Sequence, residues 1–211
     1  HVRTTHLLAS ALLQWHRQGD SIVCAGDMLD LTQCEATDDE IARLGCYRAV
    51  RHAVEEIMDT GGDIRYVRGN HDHRATHWFG VPARGYTTVD GIWITHGHRL
   101  DPFNHGRWRW VGEACTAVAG ALEHLHRDAD LWLGHVAARV LNKGRYGDAV
   151  KYRKKAVSEY EALAPACGLR GVVIGHTHKH AAWDGVYGNS GTLTGYVRGP
   201  WLPHVCIEAQ A

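Results

Sequence analysis

Four apolar runs in this chain each stop at a short motif of Gly, His, Asp or Asn, and this repeated pairing constrains the fold more than any other feature. Ser21-Ile22-Val23-Cys24 leads into Gly26-Asp27-Met28-Leu29-Asp30, and Ile64-Arg65-Tyr66-Val67 leads into Gly69-Asn70-His71-Asp72. Ile92-Trp93-Ile94 precedes His96-Gly97-His98, and Val172-Val173-Ile174 precedes Gly175-His176-Thr177-His178. Short apolar runs bounded by turn residues read as buried strands. In open α/β sheets ligands collect beyond the carboxyl ends of strands, so groups far apart in sequence can converge there. One such motif is weak evidence, because Gly-Asp is common in turns and an isolated His-x-His usually lies on the surface. Four in succession, each after a strand, point to one shared site.

The segments between the motifs alternate in type. Thr4 and Thr5 precede Leu7, Leu8, Leu12 and Trp15, a helical spacing ended by Gly19. Thr37-Asp38-Asp39-Glu40 is a capping-box pattern before a predicted long helix with Ile41, Leu44, Val50, Val54 and Ile57 on one side. Gly61-Gly62 stops it before the next strand. A β-α-β succession of this kind builds a layered α/β sheet. Tyr86 to Val89 and Ile92 to Thr95 flank Asp90-Gly91, which predicts a type I′ hairpin and so a mixed sheet. Residues of about 101–165 carry helical patterns without a convincing strand, and Gly171 to Gly175 returns to the sheet. Thr192 to Val197 and His204 to Ile207 read as short closing strands.

The length of 211 residues accommodates one core with a small appended cap. The formal net charge of zero gives no support for bulk nucleic-acid binding. No apolar run reaches the length of a membrane span, about 18 residues. The six cysteines form no CxxC pair and are expected to be reduced, with Cys24 acting as a small hydrophobe in its strand. No signal peptide is visible, and the chain starts at His1 rather than Met; a trimmed start is expected.

Carboxylate, amide and imidazole donors suit Mn²⁺, with Fe and Zn also compatible. Two divalent cations about 3.5–4 Å apart are the means by which many sites attack phosphate esters, whose anionic oxygens otherwise repel the nucleophile. Such a pair needs one carboxylate that reaches both ions, and Asp27 is the expected bridge. Asn70, His96 and His176 would complete one shell, and His178 would bind the other ion.

The four motifs resemble those of the calcineurin-like metallophosphoesterase superfamily, across most of the chain. The resemblance implies the same ligand roles for Asp27, Asn70, His96, His176 and His178, and attack by a metal-bound hydroxide. It implies that His71 donates a hydrogen bond or proton near the leaving oxygen, as general-acid chemistry requires. Asp30 stands where the family often places a carboxylate that orients this His; Asp72 is the alternative, although adjacent loop residues seldom face each other. The family's first motif, DxH, is absent, and His1 is either its remaining His, which would complete the first metal site, or a residue just beyond it. If the DxH carboxylate is truly lacking, a catalytically weak or inactive binding scaffold with the same fold is the competing reading. The implied architecture is a layered α/β/β/α sandwich, with residues 1–211 as a single domain and a helical cap insertion at about 101–165.

From Arg139 to Lys155 the insertion carries seven Lys or Arg residues against one acid, Asp148. Lys143, Arg145, Lys151 and Arg153 are candidates for holding the anionic groups of a substrate, or a solvated face. His98 is either a substrate contact beside the ions or a solvated loop residue. The insertion, with HGHxxD and a YxxxA-type helix after a basic stretch, is similar to the UDP-2,3-diacylglucosamine pyrophosphatase-like branch. That branch normally carries HGD where this chain has His96-Gly97-His98. The resemblance implies a nucleotide-lipid diphosphate substrate and a cytoplasmic protein, peripheral to the membrane at most. A phosphomonoesterase or phosphodiesterase acting on a small-molecule phosphate ester stays open, as does the oligomeric state.

Overall fold

A computed structural model describes residues 2–28, 43–101, 149–176 and 180–190, with Glu40, Trp110, Ala114, Val118, Val205 and Ile207. The chain opens with helix α1 (Val2–Arg17) and strand β1 (Ile22–Cys24), and continues through helix α2 (Arg48–Asp59) to β2 (Ile64–Val67). Four strands follow, β3 (His77–Trp78), β4 (Val81–Arg84), β5 (Tyr86–Val89) and β6 (Ile92–Thr95). Helix α3 (Ala149–Cys167), β7 (Gly171–Ile174) and β8 (Tyr187–Asn189) complete the described elements.

The strands form two sheets of four, in the orders β1-β2-β4-β3 and β5-β6-β7-β8. Parallel pairs dominate: β1 with β2, β2 with β4, β6 with β7, and β7 with β8. The β5–β6 hairpin is antiparallel, with Val89 opposite Ile92. Its turn residues Asp90 (φ +47°) and Gly91 (φ +73°) both lie in the left-handed region, as a type I′ turn requires. Arg170 closes over this turn, its Nε donating to Asp90 O at 2.6 Å.

Alternation along each strand sorts the layers. In β1, Ile22 and Cys24 face α1 and α2, joining Leu12, Val54, Ile57, Tyr66 and Trp78 in one core. Val23 and Ala25 point the other way, onto Ile92, Ile94 and Val173 of the second sheet. The outer face of that second sheet, through Val172, Ile174 and Tyr187, packs on Ala156 of α3. The order of layers is therefore helices, sheet, sheet, helix. In α2, Val50, Ala53, Val54 and Ile57 are all buried, at the spacing of one helical face. Burying a side chain of this size contributes about 1.5–3 kcal/mol, which fixes the helix over the sheet. Cys24 is buried among these groups, and burial pushes its thiol up to about 12, so it stays neutral.

The long helix expected from Ile41 to Ile57 is broken. Leu44 is extended (φ −63°, ψ 133°) and exposed rather than on the core face, and Gly45–Tyr47 forms a 3-10 turn before α2 begins. Gly within a helix costs about 1 kcal/mol relative to Ala, and Tyr47 gains a tertiary anchor against the Phe79 ring, 6.3 Å away. Strands β3, β4 and β8 were not expected from the sequence. Of the expected closing strands, 192–197 lies outside the described residues. Val205 and Ile207 are irregular in backbone, yet pack against the inter-sheet core. Most of the expected cap also lies outside the described residues; Trp110, Ala114 and Val118 are helical, as is α3. No helix among the described residues is long and apolar enough to cross a membrane.

Candidate metal centre

The loops after β1, β2, β6 and β7 meet at the carboxyl edge of the two sheets. Backbone hydrogen bonds and close approach hold them there. His71 N donates to Asp27 Oδ1 at 2.9 Å, and Met28 N donates to Asp72 Oδ2 at 2.8 Å, so the first two loops are cross-linked in both directions. Gly69 N also donates to Asp72. Gly175 N and His176 N both donate to His96 O, at 3.0 and 2.9 Å, which ties the last two loops together.

Asp27 itself has φ +55°, uncommon for a residue with a side chain. Gly26 before it has φ +94°, and the two together turn the chain sharply so that the carboxylate faces the other loops. Gly69 serves differently. A Cβ there would stand 2.6 Å from the Asp27 amide nitrogen and closer still to its carboxylate, so only glycine lets the second loop approach the first.

His96 lies at the centre and is 3% exposed. Its Nδ1 is 2.8 Å from Ala25 O, a contact that only an Nδ1–H can satisfy. That tautomer leaves a lone pair on Nε2, and three acceptor atoms surround it: Asp27 Oδ2 at 3.1 Å, Asn70 Oδ1 at 3.1 Å and His176 Nδ1 at 3.2 Å. Four electron-rich atoms facing one another are unfavourable unless a proton or a cation lies among them. Ligand bonds of about 2.0–2.2 Å at roughly tetrahedral or octahedral angles set neighbouring donor atoms about 3–3.5 Å apart. The spacing and the donor set therefore fit a divalent cation. Asp27, His96 and His176 present ligand atoms that all lie within 4.8 Å of one another.

The electrostatics agree with a charged centre. Burial opposes ionisation of Asp27, but the charge and hydrogen bond of His96, with a further contribution from His71, outweigh it and hold the carboxyl well below the usual carboxylate range. Burial likewise opposes protonation of His96, and Asp27 reverses this, raising the imidazole above its usual value. His98 behaves oppositely. Burial, then the charges of His96 and His176, lowers it to about 3. Its ring is 5.6 Å from that of His96, and its Nδ1 is buried with no hydrogen-bond partner among the described residues. It is thus a half-buried imidazole beside the cluster, kept neutral by its surroundings.

Of the residues singled out from the sequence, Asp27, Asn70, His96 and His176 converge, with His71 and His98 at the margin. Asp72 is fully buried and spent on the Met28 and Gly69 amides. Arg153 is paired with Asp184 at 2.6 Å and lies over the Tyr187 ring, and Lys151 is exposed. His1, Asp30, Lys143, Arg145 and His178 lie outside the described residues.

Two participants were not expected. Asp101 approaches His176 Nε2 with its Oδ2 at 3.5 Å, and the Tyr152 ring on α3 meets His176 edge-on at 6.0 Å. The HGHxxD spacing was the available signal for Asp101, since it sets a carboxylate one 3-10 turn beyond His98.

A sandwich of two α/β layers with carboxylate, amide and imidazole donors gathered at its strand ends is built as a metal-dependent hydrolase. Comparison with known families matches calcineurin-like phosphoesterase over residues 5–180, a span that includes all four motifs. The chain belongs to the calcineurin-like phosphoesterase family, and its general chemistry is metal-dependent hydrolysis of phosphate esters. No curated protein matches the chain.

Proposed function

We propose that this protein hydrolyses a small-molecule phosphate ester or diphosphate at two divalent cations, with Mn²⁺ the best match to the donors and Fe or Zn compatible. The observation that supports this most strongly is the ring of acceptors, all within 3.2 Å, around the His96 Nε2 lone pair. When bound, the cations neutralise phosphoryl oxygens and lower the pKa of a coordinated water.

The chain's own residues supply the rest. Asn70, His96 and His176 hold one ion. Asp27 turns Oδ2 to that cluster, while Oδ1 accepts the His71 amide and keeps a second lone pair, so one carboxylate can serve both ions. His178 and His1 are the proposed ligands of the second ion. His71 follows Asn70 directly, with its amide fixed on Asp27, and is the proposed proton donor to the leaving oxygen. Asp30 orients it. His98, neutral, offers a hydrogen bond to substrate at the edge of the cluster.

Lys143, Arg145, Lys151 and Arg153 in the insertion hold the more distant anionic groups. For a nucleotide-lipid diphosphate these would be the second phosphate or the headgroup region, consistent with a cytoplasmic protein that meets the membrane only peripherally. In this reading residues 1–211 act as one domain, and the insertion at about 101–165 caps the site.

Metal analysis combined with a phosphate-release panel on wild type and Asp27→Asn tests the proposal. Wild type should hold two ions per chain and release phosphate, and Asp27→Asn should lose both properties. Unchanged metal content in the variant removes Asp27 as the shared ligand. A wild type that holds metal but turns over no ester in the panel is a scaffold instead.

A further inference from the structure

We propose that Asp101, held by Tyr152 of α3, is a positioning residue that fixes the His176 tautomer and so ties the helical insertion to the metal centre. The inference rests on the reading of His176 as a metal ligand.

His176 Nδ1 faces the cluster, 3.2 Å from His96 Nε2. To donate a lone pair there, Nδ1 must be unprotonated, and the imidazole proton must sit on Nε2. An N–H so placed needs an acceptor. Asp101 Oδ2 is 3.5 Å from Nε2, and the two side chains are only 19% and 11% exposed, so water is a poor competitor. Carboxylates in this position hold a metal-binding imidazole in one tautomer and raise its basicity, and their loss typically weakens metal binding by about 10–100-fold.

Asp101 is itself held from two sides. Its backbone N–H donates to His98 O at 3.0 Å, closing the 3-10 turn that follows β6. The Tyr152 hydroxyl hydrogen-bonds the carboxylate, and the Tyr152 ring packs edge-on against His176. One turn further along α3, Lys155 Nζ donates to Leu100 O at 2.7 Å. Helix α3 thus grips residues 100 and 101 by two side chains spaced three apart, which share a helical face. A shift of α3 would be felt at His176 through Asp101, although neither Asp101 nor Tyr152 belongs to the four motifs.

The test uses Zn²⁺, which is diamagnetic, with Asp101→Ala, Asp101→Asn, Tyr152→Phe and His176→Gln in the full chain. Affinity is read by competition with a chromophoric chelator. The His176 tautomer is read from ¹⁵N-labelled histidine spectra of the chelated, metal-free protein, because an ion on Nδ1 would by itself force the proton onto Nε2; the signal is identified by its loss in His176→Gln. Asp101→Ala should weaken Zn²⁺ by about 10–100-fold and abolish the single Nε2–H signature. Asp101→Asn keeps an oxygen acceptor and should fall between it and wild type, as should Tyr152→Phe. If Asp101→Ala does not fold, the Asn and Phe variants carry the test: both at wild-type affinity with an unchanged tautomer overturn the proposal. Loss of a whole equivalent of Zn²⁺ from Asp101→Ala would make Asp101 a ligand, which also overturns a positioning role. A different failure marks the underlying reading: if wild type binds no Zn²⁺, or His176→Gln binds it as well as wild type, His176 is not a ligand at all.

Discussion

The Asp72 carboxylate accepts the Met28 amide at 2.8 Å, the reverse of the bond by which the His71 amide reaches Asp27 at 2.9 Å. Each of the two loops thus contributes one carboxylate and one backbone donor to the other. The exchange is possible because β1 and β2 are parallel neighbours in register, Ile22 opposite Ile64 and Cys24 opposite Tyr66, so their carboxyl ends emerge side by side. Of the two acids, Asp27 is left facing the cluster and Asp72 is buried beneath it. Adjacent loops built this way set the site's geometry before any ligand arrives.

Asp72→Ala should therefore act first on stability. It strands the buried Gly69 amide, at about 1–3 kcal/mol for an unsatisfied group, and the part-buried Met28 amide at less. Asp72→Asn keeps one acceptor oxygen and turns an NH₂ toward a donor, so its loss should be smaller. Urea unfolding in the presence of a chelator isolates this effect from metal binding. A stable, fully folded Asp72→Ala would show that the loops do not depend on the exchange.

Gly69→Ala should be far more disruptive than its one added methyl suggests. The new Cβ would press on the Asp27 backbone and carboxylate, neither of which can move without breaking the His71 hydrogen bond. Overpacking of this kind costs about 1–3 kcal/mol, and metal retention should fall with it. Gly45→Ala meets nothing within 4 Å and serves as the control; it should change stability by no more than about 0.5 kcal/mol. Thermal melts and metal content of the two variants decide the matter, and equal behaviour would contradict the close approach.

How far the sequence reveals this arrangement depends on whether a feature is local. The β1-α2-β2 unit and the Asp90-Gly91 hairpin were legible because periodicity and turn chemistry are written in adjacent residues. Strands β3 and β4 were not. His77-Trp78 is only two residues long, and Pro82 argues against a strand. Pro82 is tolerated because it pairs only with His77, while Ala83 and Arg84 take the β2 side. Tyr187-Gly188-Asn189 is equally short, with a glycine that lets Val205 and Trp183 close over it. In the site, Asp27, Asn70, His96 and His176 could be anticipated because each follows a strand end. Asp101 and Tyr152 meet His176 only through the docking of α3, which no local pattern records.

Replacing His71 separates proton donation from placement. His71→Ala should slow hydrolysis by roughly 10²–10⁴-fold, the range for loss of general acid–base help. The backbone hydrogen bond to Asp27 survives the substitution, so metal content should hold. Nitrophenyl esters, whose leaving group needs little protonation, should lose much less than alkyl esters. Equal losses across leaving groups would mean that His71 only places the substrate.

The proton held between Asp27 and His96 should compete with metal. Ligand imidazoles must be neutral to bind, so metal affinity depends on removing that proton. His96 is raised above its usual value of about 6.5, so the proton persists to higher pH than in a free imidazole. Affinity should climb by up to about tenfold per pH unit while His96 is protonated, and level off above its pKa. Without metal the signs are opposed. A raised histidine stabilises the fold below its unfolded pKa and loses that contribution as pH rises through the folded one. The depressed Asp27 carboxyl stabilises it above the unfolded carboxylate value and loses that contribution as pH falls. His98, lowered to about 3, and His176, lowered too, add a loss that sets in as pH falls below the ordinary imidazole value. The chelated protein should thus be most stable near neutral pH, and the stabilisation conferred by added Mn²⁺ should grow towards alkaline pH. Melting temperatures across pH with chelator and with Mn²⁺ measure both trends. A metal-induced stabilisation that is flat from mildly acidic to alkaline pH would mean that no proton leaves the Asp27–His96 pair when the ion enters.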